Sequence, residues 1–282
     1  MNIPEDQYIK VGSVNTRYWM AGEGSTLLLL HGITNSVEDW LLNFNVLAGR
    51  YRVVAVDLIG HGKTDKPLTA SYHIEELGRF IISFIDALEL KPVDIIGHSL
   101  GGWIALIIAI KHPDYVNRLV LIDSAGLGKE TPTIIRLLTL PGLGEFLAAN
   151  LIKMDFNKFL EIQRENWPDA EMATDEMIKL KYEATRKIEH KKTILKTFRA
   201  LANIFGTKES AYLPVVEGLT SIKHPILVVW GRRDTISPVA WTHRIANACP
   251  QAQIEIFDGC GHDAMVEAPN EFNRLVLGFL KG

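Results

Sequence analysis

The chain has 282 residues, of which 47% are hydrophobic, 22% charged and 9% aromatic, a profile that excludes disorder, collagen-like repeats and a small disulfide scaffold. Lys and Arg total 30 against 33 Asp and Glu, a formal charge of -3, so no overall basic field exists to hold nucleic acid or an anionic membrane. The only cysteines, Cys249 and Cys260, match no metal spacing, and so few imply a reducing compartment. The first ten residues lack a basic start followed by an apolar stretch and do not read as a secretory signal, so the cytoplasm is the expected location.

Taken in chain order, residues 8–11 and 16–20 flank a polar turn at 13–15 and predict an antiparallel hairpin. Short apolar runs rich in β-branched residues follow at 27–30, 53–56, 93–96 and 119–122, and again at 226–230 and 254–257. Continuous hydrophobicity over so few residues, bounded by Gly, His, Asp or Pro, is what a parallel strand covered on both faces requires. Helical patterns at 74–88 and 100–111 separate several of these runs, giving the rhythm of an α/β doubly wound, mostly parallel sheet of about eight strands. The apolar stretch 103–110 falls far short of the roughly 20 residues that span a bilayer and is expected to be a buried helix.

The rhythm breaks after Ser124. Residues 125–213 show no convincing buried strand, while 146–158, 176–189 and 193–204 carry mixed apolar and charged helical periodicity. The expected organisation is a core domain of residues 1–124 and 214–282 with a helical cap, or lid, inserted at 125–213. Lys187, His190, Lys191 and Lys192 are expected on a solvated helix face.

Gly97-His98-Ser99-Leu100-Gly101-Gly102 lies directly after the run 93–96 and directly before the apolar helix, the context a Gly-x-Ser-x-Gly nucleophile elbow demands. A serine squeezed between strand end and helix start must turn sharply, and glycines two residues to either side remove the side chains that would collide. A serine hydroxyl needs a base. Of the nine histidines, His73, His112, His190, His224 and His243 have ordinary helical or loop surroundings. His262, in Gly259-Cys260-Gly261-His262, follows the run 254–257 and is delivered to the same sheet edge as Ser99. Two acids could orient it. Asp234 lies one short loop beyond 226–230 and is favoured, with Asp123, at the end of 119–122, as the competitor. An oxyanion needs two N–H donors; Leu100, the residue after the nucleophile, and Ile33, in the His31-Gly32 loop, can supply them.

On these residues the chain resembles the α/β-hydrolase fold superfamily, and within it the serine hydrolases with a helical cap. The resemblance runs through the His31-Gly32 loop, Asp57-Leu58-Ile59-Gly60-His61-Gly62-Lys63-Thr64, the elbow at Ser99, Asp234 behind Gly231-Arg232-Arg233, and Gly261-His262. It implies Ser99 as nucleophile, His262 as base, Asp234 as acid and Ile33 with Leu100 as oxyanion donors, a small-molecule ester as substrate, and no cofactor or metal. Haloalkane dehalogenases and epoxide hydrolases of this fold carry aspartate where this chain has Ser99. The carbon-carbon hydrolases of meta-cleavage products are closer in layout. They usually show a Ser-Gly-Pro-Gly-like loop, Asn before the serine and Trp after the catalytic histidine, where this chain has Ile33-Thr34-Asn35-Ser36, His98 and Asp263. That departure points to a carboxylesterase of short to medium acyl chains, with the meta-cleavage hydrolase as the alternative and a hydrolase-like ligand receptor as the non-enzyme reading. The cap is expected to set chain-length preference through Leu147, Leu151, Phe156 and Phe159 without taking part in the chemistry.

Overall fold

The computed structural model describes residues 3–167, 170–185 and 188–281, with side chains excepted at 151, 152 and 188. The predicted hairpin forms from β1 (Gln7–Val11) and β2 (Val14–Ala21), which pair antiparallel about a turn at Gly12 and Ser13. Next come β3 (Thr26–Leu30), β4 (Arg52–Val56), β5 (Val93–His98), β6 (Val116–Ile122), β7 (Ile226–Gly231) and β8 (Gln253–Phe257). They make one eight-stranded sheet in the order β1-β2-β4-β3-β5-β6-β7-β8. Every pairing from β4 to β8 is parallel.

The central strands read as unbroken apolar runs because both faces are covered. Leu28 and Leu30 of β3 join one core cluster, and Leu27 and Leu29 join the other. Each fully buried leucine contributes roughly 1.5–3 kcal/mol relative to an exposed one. On the first face lie α2 (Ile74–Ala87) and α3 (Leu100–Lys111); on the second lies α1 (Phe44–Ala48). The helix α3 is apolar all round because α2 packs against it on one side and a later helix, Glu209–Gly218, on another.

Between β6 and β7 the chain forms α4 (Thr133–Leu138), α5 (Leu143–Lys153), α6 (Phe156–Asn166), α7 (Asp175–Thr185), α8 (Ile188–Leu201) and α9 (Glu209–Gly218). The helical pattern at 146–158 breaks at Asp155, whose carboxylate accepts the Lys158 N–H at 2.9 Å and caps α6. The pattern at 193–204 ends earlier than its periodicity implies, because Ala202–Asn203 and Gly206–Thr207 form a two-residue antiparallel ladder. Helix α9 runs through position 213 and sends Ala211 and Val215 into the first-face core. Trp167, Met177 and Ile178, from the helical segment between β6 and β7, join the second-face core, so that segment packs against the sheet.

The chain then closes with α10 (Thr242–Ala248), the single turn α11 (Ala264–Glu267) and α12 (Pro269–Leu280). Among the described residues no helix is long and apolar enough to cross a membrane.

Candidate active site

Ser99 sits where β5 ends and α3 begins, at the carboxyl edge of the parallel sheet, the usual ligand edge of such folds. Its φ of 51° and ψ of -112° lie in a region that residues with a Cβ rarely adopt. The turn is held by Ser99 N–H donating to Ile122 O at 2.9 Å and by Ala125 N–H donating to Ser99 O at 3.1 Å. The flanking glycines are sterically required: a Cβ on Gly97 would lie 2.4 Å from Gly101 O, and one on Gly101 would lie 2.2 Å from Leu30 O.

The Ser99 Oγ lies 3.0 Å from His262 Nε2, and His262 Nδ1 lies 2.8 Å from Asp234 Oδ2. With Nδ1–H donating to the carboxylate, Nε2 is left to accept the serine proton. The other carboxylate oxygen of Asp234 accepts the N–H groups of Ile236 at 2.7 Å and Ser237 at 3.0 Å, which fixes the acid within its loop. Asp123 is brought near this line without joining it. Its Oδ1 accepts Gly231 N–H at 2.8 Å and its Oδ2 faces Ala264 N. Burial, and then the charge of Asp234, push the Asp123 carboxyl well above the usual carboxylate range.

Burial alone disfavours a charged His262, but the hydrogen bond and charge of Asp234, with Asp123 and Asp263, outweigh it and hold the imidazole up at about 9. The neighbouring His98 is the opposite case, held down to about 4 chiefly by burial. As a neutral imidazole His98 donates from Nε2 to His262 O at 2.7 Å.

Ile33 and Leu100 border the same cavity as Ser99. Leu100 opens α3, so its N–H belongs to the first turn, where no intrahelical acceptor exists. The Ile33 loop is pressed against the elbow: a Cβ on Gly32 would lie 3.3 Å from Ser99 Cβ and 3.0 Å from His98 Nδ1. The His31-Gly32 and 57–64 loops are tied to each other by Leu58 N–H donating to His31 Nε2 at 3.0 Å. Arg17, almost fully buried on β2, pairs with Asp6, Glu38 and Asp57 at 2.6–3.2 Å and so ties the start of the 57–64 loop to β2.

The cavity beside Ser99 measures about 80 Å³. Its walls are Trp103, Pro132, Ile135, Phe198, Leu201 and Trp241, with Glu130 the one charged side chain among the described residues lining it. The expected cap residues are elsewhere. Leu147 packs with Leu138 and Phe198 inside the insertion, and Phe156 and Phe159 set their rings against Tyr182 at 5.6 and 5.4 Å. The Leu151 side chain lies outside the described residues. His190 is also not on a solvated face: it is 4% exposed and packs edge-on to His61 at 5.7 Å, one further ring from His31. The spacing of His190, Thr193 and Thr197 along one side of α8 was the available signal, since both threonines are fully buried.

Residues 25–269 match the family described as alpha/beta hydrolase fold. This chain belongs to that family. Among its relatives, the 2-hydroxymuconate semialdehyde hydrolase of Pseudomonas sp. (strain CF600) is 30% identical, over 99% of this chain and 97% of that protein. The 2-hydroxy-6-oxo-6-(2'-aminophenyl)hexa-2,4-dienoic acid hydrolase of Metapseudomonas resinovorans is 31% identical, over 98% of this chain and 90% of that protein. A solved meta-cleavage product hydrolase from Pseudomonas fluorescens IP01 superposes with a TM-score of 0.80 at 25% identity, over 98% of this chain and 97% of that one. The likeness to these hydrolases thus runs over nearly the whole chain, which carries His98 and Asp263 beside Ser99 and His262.

Proposed function

We propose that this family member is a serine hydrolase that cleaves neutral carboxylic esters with short acyl groups. The reading rests on one observation: Ser99 Oγ, 3.0 Å from His262 Nε2, borders a small apolar cavity. Ser99 attacks the ester carbonyl as His262 takes its proton, and Asp234 stabilises the imidazolium that forms. The N–H groups of Ile33 and Leu100 receive the developing oxyanion. His262 then returns the proton to the departing alcohol, and a water activated by the same imidazole releases the acid.

Cavity size argues for short chains. A dry cavity of about 150 Å³ takes one benzene ring, so a cavity of about 80 Å³ suits a small aliphatic acyl group. In this reading the insertion acts as a cap, with Pro132, Ile135, Phe198 and Leu201 as its wall.

A second reading, hydrolysis of a carbon-carbon bond in a meta-cleavage product, is favoured by the near full-length likeness to the two hydrolases above. Against it, a substrate carboxylate would meet Glu130 in this cavity, where no described lining residue is Lys or Arg. A panel of p-nitrophenyl esters of rising chain length beside one vinylogous diketone acid tests the choice. The ester reading expects repeated turnover of acetate and butyrate esters at about 1 to 1,000 per second and little of the diketone. The reverse ranking overturns it, and a stall after one equivalent would make the protein a receptor.

A further inference from the structure

His262 is held from several directions at once. Glu267 accepts the N–H groups of Gly261, at 2.9–3.0 Å, and of Asp263, at 3.1 Å, while His98 holds His262 O. All of these groups belong to the sheet domain. The remaining hold comes from the insertion. Trp167, 2% exposed at the end of α6, donates its indole N–H to Asp263 Oδ2 at 2.8 Å. The Trp167 ring carries Lys181 Nζ over its face at 4.8 Å, and that ammonium is ion-paired with the buried Asp39 of the sheet domain at 2.8 Å. Asp263 Oδ1 in turn lies 3.6 Å from His98 Nε2. The residue that follows the base is thereby gripped from both parts of the molecule.

We infer that Asp263 and Trp167 are positioning residues for His262, so that the base is set by the seated insertion as well as by Asp234. The inference rests on His262 being the base of the proposed hydrolase. The groups facing His262 are Asp234 and Asp123 from the ends of β7 and β6, His98 from β5, Asp263 on its own loop, and Lys181 behind Asp263. Asp263 adds negative charge beside the imidazole; burial raises its own carboxyl, but the Lys181 ammonium, with the charge of His262 and the Trp167 hydrogen bond, more than offsets that and holds it below the usual carboxylate range. The insertion therefore contributes more than a cavity wall.

The full chain and the variants Asp263→Asn, Asp263→Ala, Trp167→Phe and the Trp167→Phe/Asp263→Ala pair are compared on p-nitrophenyl acetate across pH, with Ser99→Ala as the reference for the underlying mechanism. Asp263→Asn keeps an acceptor for the indole and removes only the charge, so the acid limb of kcat/KM is expected to move down by about one pH unit. Trp167→Phe keeps the ring and loses the N–H, so kcat is expected to fall about tenfold with KM little changed, and to fall no further when Asp263 is already Ala. An acid limb unmoved by Asp263→Asn overturns the inference. So does a Trp167→Phe loss of the same factor in both backgrounds, which is what ordinary loss of packing gives. Should Asp263→Ala not fold, the limb in Asp263→Asn decides alone. If Ser99→Ala retains turnover, it is the serine mechanism that has failed, and that outcome is distinct from the others.

Discussion

Gly231 donates its backbone N–H to Asp123 Oδ1 at 2.8 Å, so the acid at the end of β6 is spent on the neighbouring strand and leaves Nδ1 of His262 to Asp234. The two carboxyls nevertheless share a field, since Asp234 is the leading charge that pushes Asp123 upward and Asp123 is among those that raise His262.

The expected outcome is a sharp split between the two acids. Asp234→Asn offers the imidazole the wrong partner and should lower kcat by about 10,000-fold, as the loss of the acid does in serine triads. Asp123→Asn keeps an acceptor for Gly231 N–H but places an amide N–H near Ala264 N. It should cost about 1 kcal/mol of stability with a far smaller kinetic effect. Steady-state kinetics and thermal melts on both variants decide this, and the opposite ranking would make Asp123 the functional acid.

Activity should rise with pH through an unusually high midpoint. A general base must be neutral, and three carboxyl groups around His262 hold its imidazole up at about 9, where an unperturbed histidine titrates near 6.5. The same shift acts on stability with the opposite sign. A folded-state pKa raised above the unfolded value gives stabilisation that is complete below about pH 6.5 and lost as pH rises through about 9. The kcat/KM profile should therefore climb over the window in which this contribution to the melting temperature declines. An acid limb centred near 6.5 would show that the carboxyl groups do not act on the base as described.

Much of this site was legible in the sequence because strand ends are legible. Ser99, Asp234 and His262 each follow a short apolar run within a few residues, and a parallel sheet lines up such ends along one edge. What could not be read depends on how distant segments fold back. Arg17 reads as the polar member of an alternating strand until Asp6, Glu38 and Asp57 are seen around it. Trp167 and Asp263 are 96 residues apart, and neither carries a motif. Helical periodicity and a place between Asp123 and Asp234 point to Leu147, Phe156 and Phe159 as the cavity wall, but such a pattern marks a helix face as buried without saying against what; Phe198 and Leu201 of α8 line the cavity instead.

The strained elbow gives a test independent of turnover. Ser99 holds φ at 51°, where a Cβ carries a penalty and glycine does not. Ser99→Ala and Ser99→Gly should both abolish esterase activity, yet Ser99→Gly should be the more stable of the two by about 1 kcal/mol. Chemical denaturation of the two inactive variants measures the difference. Equal stabilities would mean that the elbow relaxes once the hydroxyl is gone.

The cavity wall should govern acyl length one methylene at a time. Ile135 lines the cavity from α4 while remaining half-buried, so Ile135→Ala opens space with little loss of stability, unlike truncation of the buried Phe198. Each methylene newly covered by apolar wall contributes about 0.8 kcal/mol, close to a fourfold gain in kcat/KM per carbon until the added space is filled. Acetate esters, which do not reach the wall, should be cleaved as before. Glu130→Gln probes the other property of the same cavity, because removing its carboxylate should raise kcat/KM for a half-ester of a dicarboxylic acid and leave a neutral butyrate ester unchanged. If Ile135→Ala slows acetate and butyrate esters alike, and Glu130→Gln alters neutral and anionic esters by the same factor, the acyl group does not enter this cavity and the chain-length argument falls.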